Sequence, residues 1–573
     1  MTDPSPRRTD RIVAGAWIVA LAAAMTLMNA VKPLHMDDSI YHAFARRIAA
    51  SPGDPYGGEV VDYWAAPRPS TEVLAPVFLP YLWSRAILVH GDDPALCKLW
   101  LAPFCLMLAW SAWSLGRRFA RGFEASVAGL VAFSPAVLPS LNYMLDVPAL
   151  ALGLVGLVLF FRAVDRGSSP MAVAAGLVAG ASIGTKWTGL VFPATMGLHA
   201  LIRRRVGLGL AAGLAAALVF VGWEAWIARA YGESHFLLHS GRKGGTSLMD
   251  RLNGAKALTA ILGGVAPAVL ATGLLALRRP IAAGVAGAFS LAGYVAVGLG
   301  LAPLAAFLPI GVLLAVNLAT IAAVLLIRRG RQGAGRGRWR WRGDRDDAFL
   351  VAWLALEVAA FFVLSPYSAV RRVLGVVVAA TLLAARLASR TCRTPSRREA
   401  VRWSAFAGMV LGVAYYGVDL WEARVERRAA EESAAAALAR VEPGRTAWFA
   451  GRWGFRDHAE RAGLVHIAPG RTVLEPGDLL VVHDNKVDLE PTVDIDPSLV
   501  EEVLRLQYDD NLPYRLVPPF YAGKEPIQKQ SGPRFVAHVY QVSRRFTPLG
   551  WVRPEFGPRD RPVGALMRAG RGR

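Results

Sequence analysis

The sequence predicts an all-α polytopic membrane protein with a small C-terminal α/β domain, and three observations carry that expectation. Hydrophobic residues make up 54% of the 573 positions and charged residues only 19%, against roughly a quarter charged in an average soluble protein. Apolar runs recur over the first three quarters of the chain, and several reach the roughly 20 residues needed to cross a hydrocarbon core of about 30 Å. From residue 421 onward the long apolar runs stop, charge rises and proline becomes frequent.

About thirteen spans are expected, at 12–31, 94–115, 123–140, 147–163, 171–184, 187–201, 206–223, 258–277, 280–299, 302–327, 348–364, 370–388 and 401–420. Of these, 171–184 and 187–201 are short for a full crossing. Arg7, Arg8 and Arg11 precede the apolar run Ile12–Val31, which is long for a signal peptide and ends on the poor cleavage sequence Met28-Asn29-Ala30. It reads as a retained first span with the N-terminus cytoplasmic. An odd span count then puts the C-terminus outside, and every arginine-rich loop falls on the cytoplasmic side, at 116–122, 162–170, 202–206, 328–346 and 389–400, as the positive-inside rule requires. Counting the apolar segment 72–90 as a span would invert that pattern. With Pro76, Pro80 and Arg85 inside it, it reads as an interfacial helix on the outer leaflet.

The expected organisation is a transmembrane domain over 1–420, with outer loops at 32–93 and 224–257, and a soluble outer-face (periplasmic or extracellular) domain over 421–573. In that tail Glu422–Val441 reads as an Ala-rich helix, and Thr446–Ala450, Leu479–Val482 and Phe535–Val542 as strands. Neither a solenoid period nor the inverted repeat of a transporter is evident. The net charge of +21 comes from arginines between spans, Arg328 to Arg345 being the densest run, so topology and anionic lipid explain it better than nucleic acid. Cys97, Cys105 and Cys392 form no CxxC or zinc-finger spacing.

The sharpest chemical feature is His35-Met36-Asp37-Asp38-Ser39-Ile40-Tyr41, just beyond the first span. Adjacent carboxylates at a membrane surface are solvated, paired or used. Asn142-Tyr143-Met144-Leu145-Asp146-Val147-Pro148 places another acid at the turn from the third to the fourth span. There Asp146 is a candidate helix cap or a site residue, since Pro148 suits a first turn. Gly184-Thr185-Lys186-Trp187-Thr188-Gly189 sets a lysine in an otherwise apolar stretch, where it snorkels or serves a site. His235 and His239 are four residues apart and share a helical face. They read as a metal pair lacking an evident third ligand, or as loop-packing or head-group contacts. Asp92 and Asp93 read as caps of the second span, and the Trp residues as interfacial anchors.

Together these residues suit glycosyl transfer from a polyprenyl phosphate. Such a reaction needs a carboxylate to take the acceptor proton as the new C–O bond forms. It also needs fixed cations where charge develops on the departing phosphate. Asp37, Asp38 and Asp146 are the candidate acids; Lys186, Arg242, Lys243, Arg371 and Arg372 are the candidate cations. Tyr41, His235 and His239 are candidate substrate contacts. No cofactor is implied, and a divalent metal stays open.

The arrangement resembles the GT-C superfamily, in particular the protein O-mannosyltransferase-like and aminoarabinose-transferase-like branch, glycosyltransferase family 39. The resemblance rests on Asp37, Asp38 and Tyr41 after the first span, Asp146 before Pro148, Thr185 to Gly189, and a late Arg371-Arg372-Val373-Leu374. It covers about residues 10–390, with Gly451-Arg452-Trp453-Gly454-Phe455 in the tail. The pair here is Asp-Asp where Asp-Glu is commoner, and Arg372 stands where the branch has Tyr. The resemblance implies a polyprenyl-phosphate-linked sugar donor and a lipid, glycan or protein acceptor; the strong Ala/Arg bias suggests a bacterial chain, and so an inner-membrane location. It makes Asp37 the base, with Asp38 beside it, Asp146 orienting the acceptor or that acid, and Lys186 and Arg371 meeting the carrier phosphate. The alternatives are a transporter or lipid flippase, which needs polar residues at mid-membrane, and a noncatalytic partner-binding protein.

Overall fold

A computed structural model describes residues 8–60, 67–73, 76–241, 248–329, 339–341, 344–365, 367–484, 493, 495–517 and 519–549. The chain divides into two compact units. The first comprises Met1–Asn29, Lys98–Val418 and Pro519–Lys529; the second comprises Ala30–Cys97, Asp419–Pro518 and Gln530–Arg573.

The first unit is helical. Among the described residues eight helices are long and apolar enough to cross a membrane: Arg11–Val31, Pro94–Phe119, Asp146–Arg166, Val206–Tyr231, Pro280–Leu299, Pro303–Leu326, Arg345–Leu364 and Leu374–Thr391. The chain is thus a multi-pass membrane protein. Leu214, Leu218, Ile281 and Leu299 are exposed on these helices, a surface that lipid rather than water would cover. The expected short spans are the helices Ser169–Thr185 and Val191–Arg203.

Two expected spans are interrupted. Instead of one helix over 123–140 the chain forms Glu124–Ala132 and Val137–Ser140, broken around Pro135, where the Ser134 hydroxyl accepts the Val137 N–H at 3.1 Å. The expected span 258–277 is two helices, Leu248–Val265 and Pro267–Ala276, bent by 77°. Pro267 lacks an N–H and its ring excludes the preceding turn, so it starts a helix where it would disrupt one. Near that break, helices Leu248–Val265 and Pro303–Leu326 meet through glycines. A Cβ on Gly311 would lie 1.9 Å from the Thr259 carbonyl oxygen, and one on Gly263 would lie 2.1 Å from that of Phe307.

Arginines gather at one end of this unit. Arg118 pairs with Asp165 at 2.6 Å, and Arg386 and Arg390 pair with Asp347 at 2.9 and 2.5 Å. Arg203 is bonded to Asp346. Asp165 and Asp146 lie near opposite ends of one 21-residue helix. At 1.5 Å per residue that separates them by roughly 30 Å, about the thickness of a bilayer core.

The second unit holds a five-stranded mixed sheet in the order Val465–His466, Ala447–Ala450, Leu479–Asp484, Phe535–Val542, Val500–Tyr508. The first three strands run parallel and the last two pair antiparallel, with an irregularity between Val539 and Tyr540. Helix Pro395–Leu438, 44 residues long, contributes Ala430, Ala434 and Ala437, which pack with Phe449, Phe455, Val481 and Val539. Their spacing places the three alanines on one helical face. The segment after the first span also folds in this unit. Helix Asp38–Ala50 packs beside Phe78–His90, with Tyr41 and Trp83 rings 6.5 Å apart.

Candidate functional site

In the helical unit, Asp146 is the first residue of helix Asp146–Arg166, and the N-cap position before it is Leu145. The capping reading is therefore corrected: the carboxylate is bonded instead to the Lys186 ammonium, and both are buried. Lys186 follows helix Ser169–Thr185 in an extended conformation at φ −158°, which ends that helix and turns the side chain back toward Asp146. Two charges removed from water must be paired.

Arg371 and Arg372 lie on a single 3-10 turn, Val370–Arg372, before helix Leu374–Thr391. Both line a cavity together with Asp146 and Thr188. Arg371 is buried: its Nε donates to the Tyr521 carbonyl at 3.0 Å and its Nη2 to the Tyr367 hydroxyl at 2.6 Å. The Arg372 guanidinium lies 5.2 Å from the Tyr367 ring centre, within cation–π range. Among the described residues no carboxylate lies within ion-pair distance of Arg372. The cavity thus carries positive charge that an anion would satisfy.

The sequence left two members of this neighbourhood unnoticed. Tyr521 comes from the C-terminal tail but belongs to the helical unit. Its hydroxyl donates to Pro139 O at 3.1 Å and accepts from Asn142 Nδ2 at 3.2 Å. No local pattern marks it. Glu357, inside the apolar run of helix Arg345–Leu364, lines the same cavity. An isolated acid within a span was the signal that could have found it.

His235 and His239 lie on one short helix with rings 4.6 Å apart, and both pack on Trp187, at 5.1 and 5.6 Å. This is aromatic packing next to Lys186. Among the described residues no group of three or more His, Cys, Asp or Glu is placed to hold a metal ion. Arg242 and Lys243 lie outside the described residues.

In the second unit the two acids of the pair differ. Asp37 precedes helix Asp38–Ala50 at its N-cap position without a side-chain capping bond, and is 7% exposed. Asp38 is wholly buried, and its Oδ2 accepts the His35 N–H at 3.1 Å, closing a local turn. Met36, between them and His35, has φ +52°, a left-handed conformation uncommon for such a side chain. Tyr41 is buried one turn on.

A buried ion network holds this turn. His35 Nδ1 meets Glu426 Oε2 at 2.7 Å, and Lys32 pairs with Asp419 at 2.5 Å. Glu426 Oε1 also accepts the Phe455 N–H at 3.0 Å, and His458 Nε2 donates to Leu34 O at 3.1 Å. The Gly451–Phe455 segment therefore packs on the residues just before the acid pair. A Cβ on Gly454 would lie 2.5 Å from Leu34 O. Burial opposes a charged His35, but the Glu426 hydrogen bond and the Glu426 and Asp419 charges hold its pKa above the usual value. Burial likewise opposes a charged Glu426, yet His35 holds its pKa below the usual value.

Asp92 does not cap a helix as expected. It pairs with His42 at 2.5 Å and Arg46 at 2.8 Å, while Asp93 Oδ1 accepts the Ala95 N–H at 2.8 Å and does cap.

No family model and no curated protein matches the chain. Among solved structures it is similar to ArnT from Cupriavidus metallidurans in the apo state, at 16% identity over 82% of this chain and 93% of that one, TM-score 0.40. It is similar to the archaeal oligosaccharyltransferase AglB from Archaeoglobus fulgidus, solved with an inhibitory peptide and a dolichol-phosphate, at 12% identity over 81% and 65%, TM-score 0.45. A third is the arabinosyltransferase EmbB from Mycobacterium smegmatis, at 14% identity over 90% and 48%, TM-score 0.33.

Proposed function

We propose that this protein is an integral membrane glycosyltransferase that moves a sugar from a polyprenyl-phosphate donor to a lipid, glycan or protein hydroxyl on the outer face of the membrane. The observation that carries this reading is the cavity bordered by Arg371, Arg372 and the Lys186-paired Asp146, at the end of the helical unit away from its arginine cluster. An anionic head group with a long apolar tail suits a basic cavity whose walls include Leu150, Val191 and Phe361. In the proposed topology residues 1–420 form the membrane domain, the N-terminus is cytoplasmic and the tail 421–573 is on the outer face.

In this reading Asp37 takes the proton of the acceptor hydroxyl as its oxygen attacks the anomeric carbon. The bond from that carbon to the phosphate oxygen breaks, and the phosphate leaves with the electron pair, so the configuration inverts. Arg371 and Arg372 stabilise the leaving phosphate, and Lys186 bonds to Asp146 and holds it in place. Asp38, bonded to the His35 amide, positions the turn that carries Asp37. A proton-accepting side chain contributes about 10²–10⁴-fold in rate.

The test is release of polyprenyl phosphate from a set of polyprenyl-phosphate sugars by purified protein in nanodiscs, with Asp37→Asn as control. Turnover by the wild type alone supports the reading. Wild-type turnover by folded Asp37→Asn would remove Asp37 as the base. Failure of the wild type to bind any carrier would remove the glycosyltransferase reading.

A further inference from the structure

Glu357 sits where an apolar side chain would suffice. Helix Arg345–Leu364 is apolar from Ala348 to Leu364 except at this residue. Glu357 lies seven residues before the helix end, about 10 Å into the span at 1.5 Å per residue. A carboxyl group at that depth is costly and is rarely present without a use.

Its surroundings are arranged around the carboxyl group. Trp353, one turn earlier, donates its indole N–H to Glu357 Oε1 at 2.9 Å. Among the described residues that is its one side-chain hydrogen bond, although the group is buried. Gly375, on helix Leu374–Thr391, faces the other oxygen. A Cβ there would lie 2.1 Å from Oε2, so the glycine leaves the space that the carboxyl group fills. Glu357 lines the cavity that Arg371, Arg372 and Thr188 also line. This cavity is therefore basic on one side and carries a carboxyl acceptor on the other.

A bare phosphate has no need of a carboxyl neighbour and would be repelled by an ionised one. A phosphate carrying a polyhydroxyl group is different: its oxygens suit the arginines, and its hydroxyls are donors for a carboxyl oxygen. We infer that Glu357 is a ligand-binding residue that accepts hydrogen bonds from the hydroxyl-bearing group carried on the lipid phosphate, distinguishing a loaded carrier from a spent one. The inference rests on the glycosyltransferase reading above. It gives the enzyme a reason to release the bare carrier after transfer. A hydrogen bond to a charged or strongly polarised partner commonly supports discrimination of tenfold or more.

The experiment measures binding of undecaprenyl phosphate and of undecaprenyl-phosphoryl mannose, glucose and aminoarabinose to full-length protein in nanodiscs, for wild type, Glu357→Gln and Glu357→Leu. Gln preserves the Trp353 bond through its amide oxygen, so a purely structural role leaves Gln like wild type. The expected result is that wild type prefers at least one loaded carrier over the bare one by about tenfold or more. Both variants should lose most of that margin while binding the bare carrier no more weakly than wild type. Retention of the margin in Glu357→Gln overturns the inference, whatever Glu357→Leu does, as does a wild type that holds no loaded carrier more tightly than the bare one. Absence of binding to the bare carrier itself would instead overturn the glycosyltransferase reading on which the inference rests.

Discussion

Lys186 and Asp146, 40 residues apart in sequence, form a buried ion pair at the entrance to helix Asp146–Arg166. The lysine ends one helix and the aspartate begins another, so the pair fixes the relation between two spans as well as the charge at the cavity. Removing one partner leaves a buried charge uncompensated, which costs about 3–5 kcal/mol. Lys186→Ala is therefore expected to lower the unfolding temperature in detergent and to weaken undecaprenyl phosphate binding. Asp146→Asn combined with Lys186→Met removes both charges and should recover most of the stability without recovering turnover. Thermal unfolding and carrier release on the single and double variants check both arms.

The His35–Glu426 pair makes the stability of the second unit depend on pH. His35 has a folded pKa above its usual 6.5, so its contribution is fully present below pH 6.5 and is lost as pH rises through the folded value. Glu426 has a folded pKa below its usual 4.5, so its contribution is present above pH 4.5 and is lost as pH falls through the folded value. Stability from this pair is thus greatest between those two values and declines on the alkaline side as His35 loses its proton. Thermal unfolding measured from about pH 5 to about pH 9 at fixed ionic strength should show that decline, and Glu426→Gln should flatten it. An equal slope in wild type and Glu426→Gln would mean that other groups dominate.

Arg372 stacks on Tyr367 and borders the cavity without a carboxylate in ion-pair reach among the described residues. Its removal breaks no buried pair. Arg372→Ala should leave stability nearly unchanged, within about 0.5 kcal/mol. It should weaken undecaprenyl phosphate binding by about tenfold, corresponding to about 1.4 kcal/mol. Equal binding by variant and wild type would take Arg372 out of the phosphate site.

How much of this was legible follows from the physics of each element. Helices such as Pro280–Leu299 and Pro303–Leu326 are visible because lipid demands uninterrupted apolar length. The same averaging concealed Glu357, one acid whose cost vanishes in a hydrophobic window. Pro267 and Pro135 were visible as residues, but a long apolar run outweighed them, and the 77° bend depends on what the two helices pack against. Lys186 and Asp146 could each be chosen as unusual, yet their pairing is tertiary. Asp37 and Asp38 look equivalent in sequence. The His35 amide on Asp38, at the turn that includes Met36, and the deeper burial of Asp38 separate them. Helix Asp38–Ala50 lies inside the expected outer loop 32–93: it is too short and too polar to read as a span, and it is held by packing on Phe78–His90.

Gly311 tests how the helical unit is held together. Between spans in lipid there is little hydrophobic drive for association, so close van der Waals contact between small residues carries more of the work. Helices Leu248–Val265 and Pro303–Leu326 approach so closely that a Cβ on Gly311 would lie 1.9 Å from the Thr259 carbonyl oxygen. A backbone oxygen cannot swing aside like a side chain, so the helices must separate. Gly311→Ala is expected to destabilise by about 1–3 kcal/mol, the usual range for overpacking. Gly284, on Pro280–Leu299, has nothing within 4 Å of a built Cβ. There Gly284→Ala should be neutral or stabilising by up to about 1 kcal/mol, since alanine favours the helix. Opposite signs in thermal unfolding under one detergent would show that contact, and not helix propensity, decides the Gly311 position. If Gly311→Ala were as harmless as Gly284→Ala, the close crossing of these two helices would be wrong.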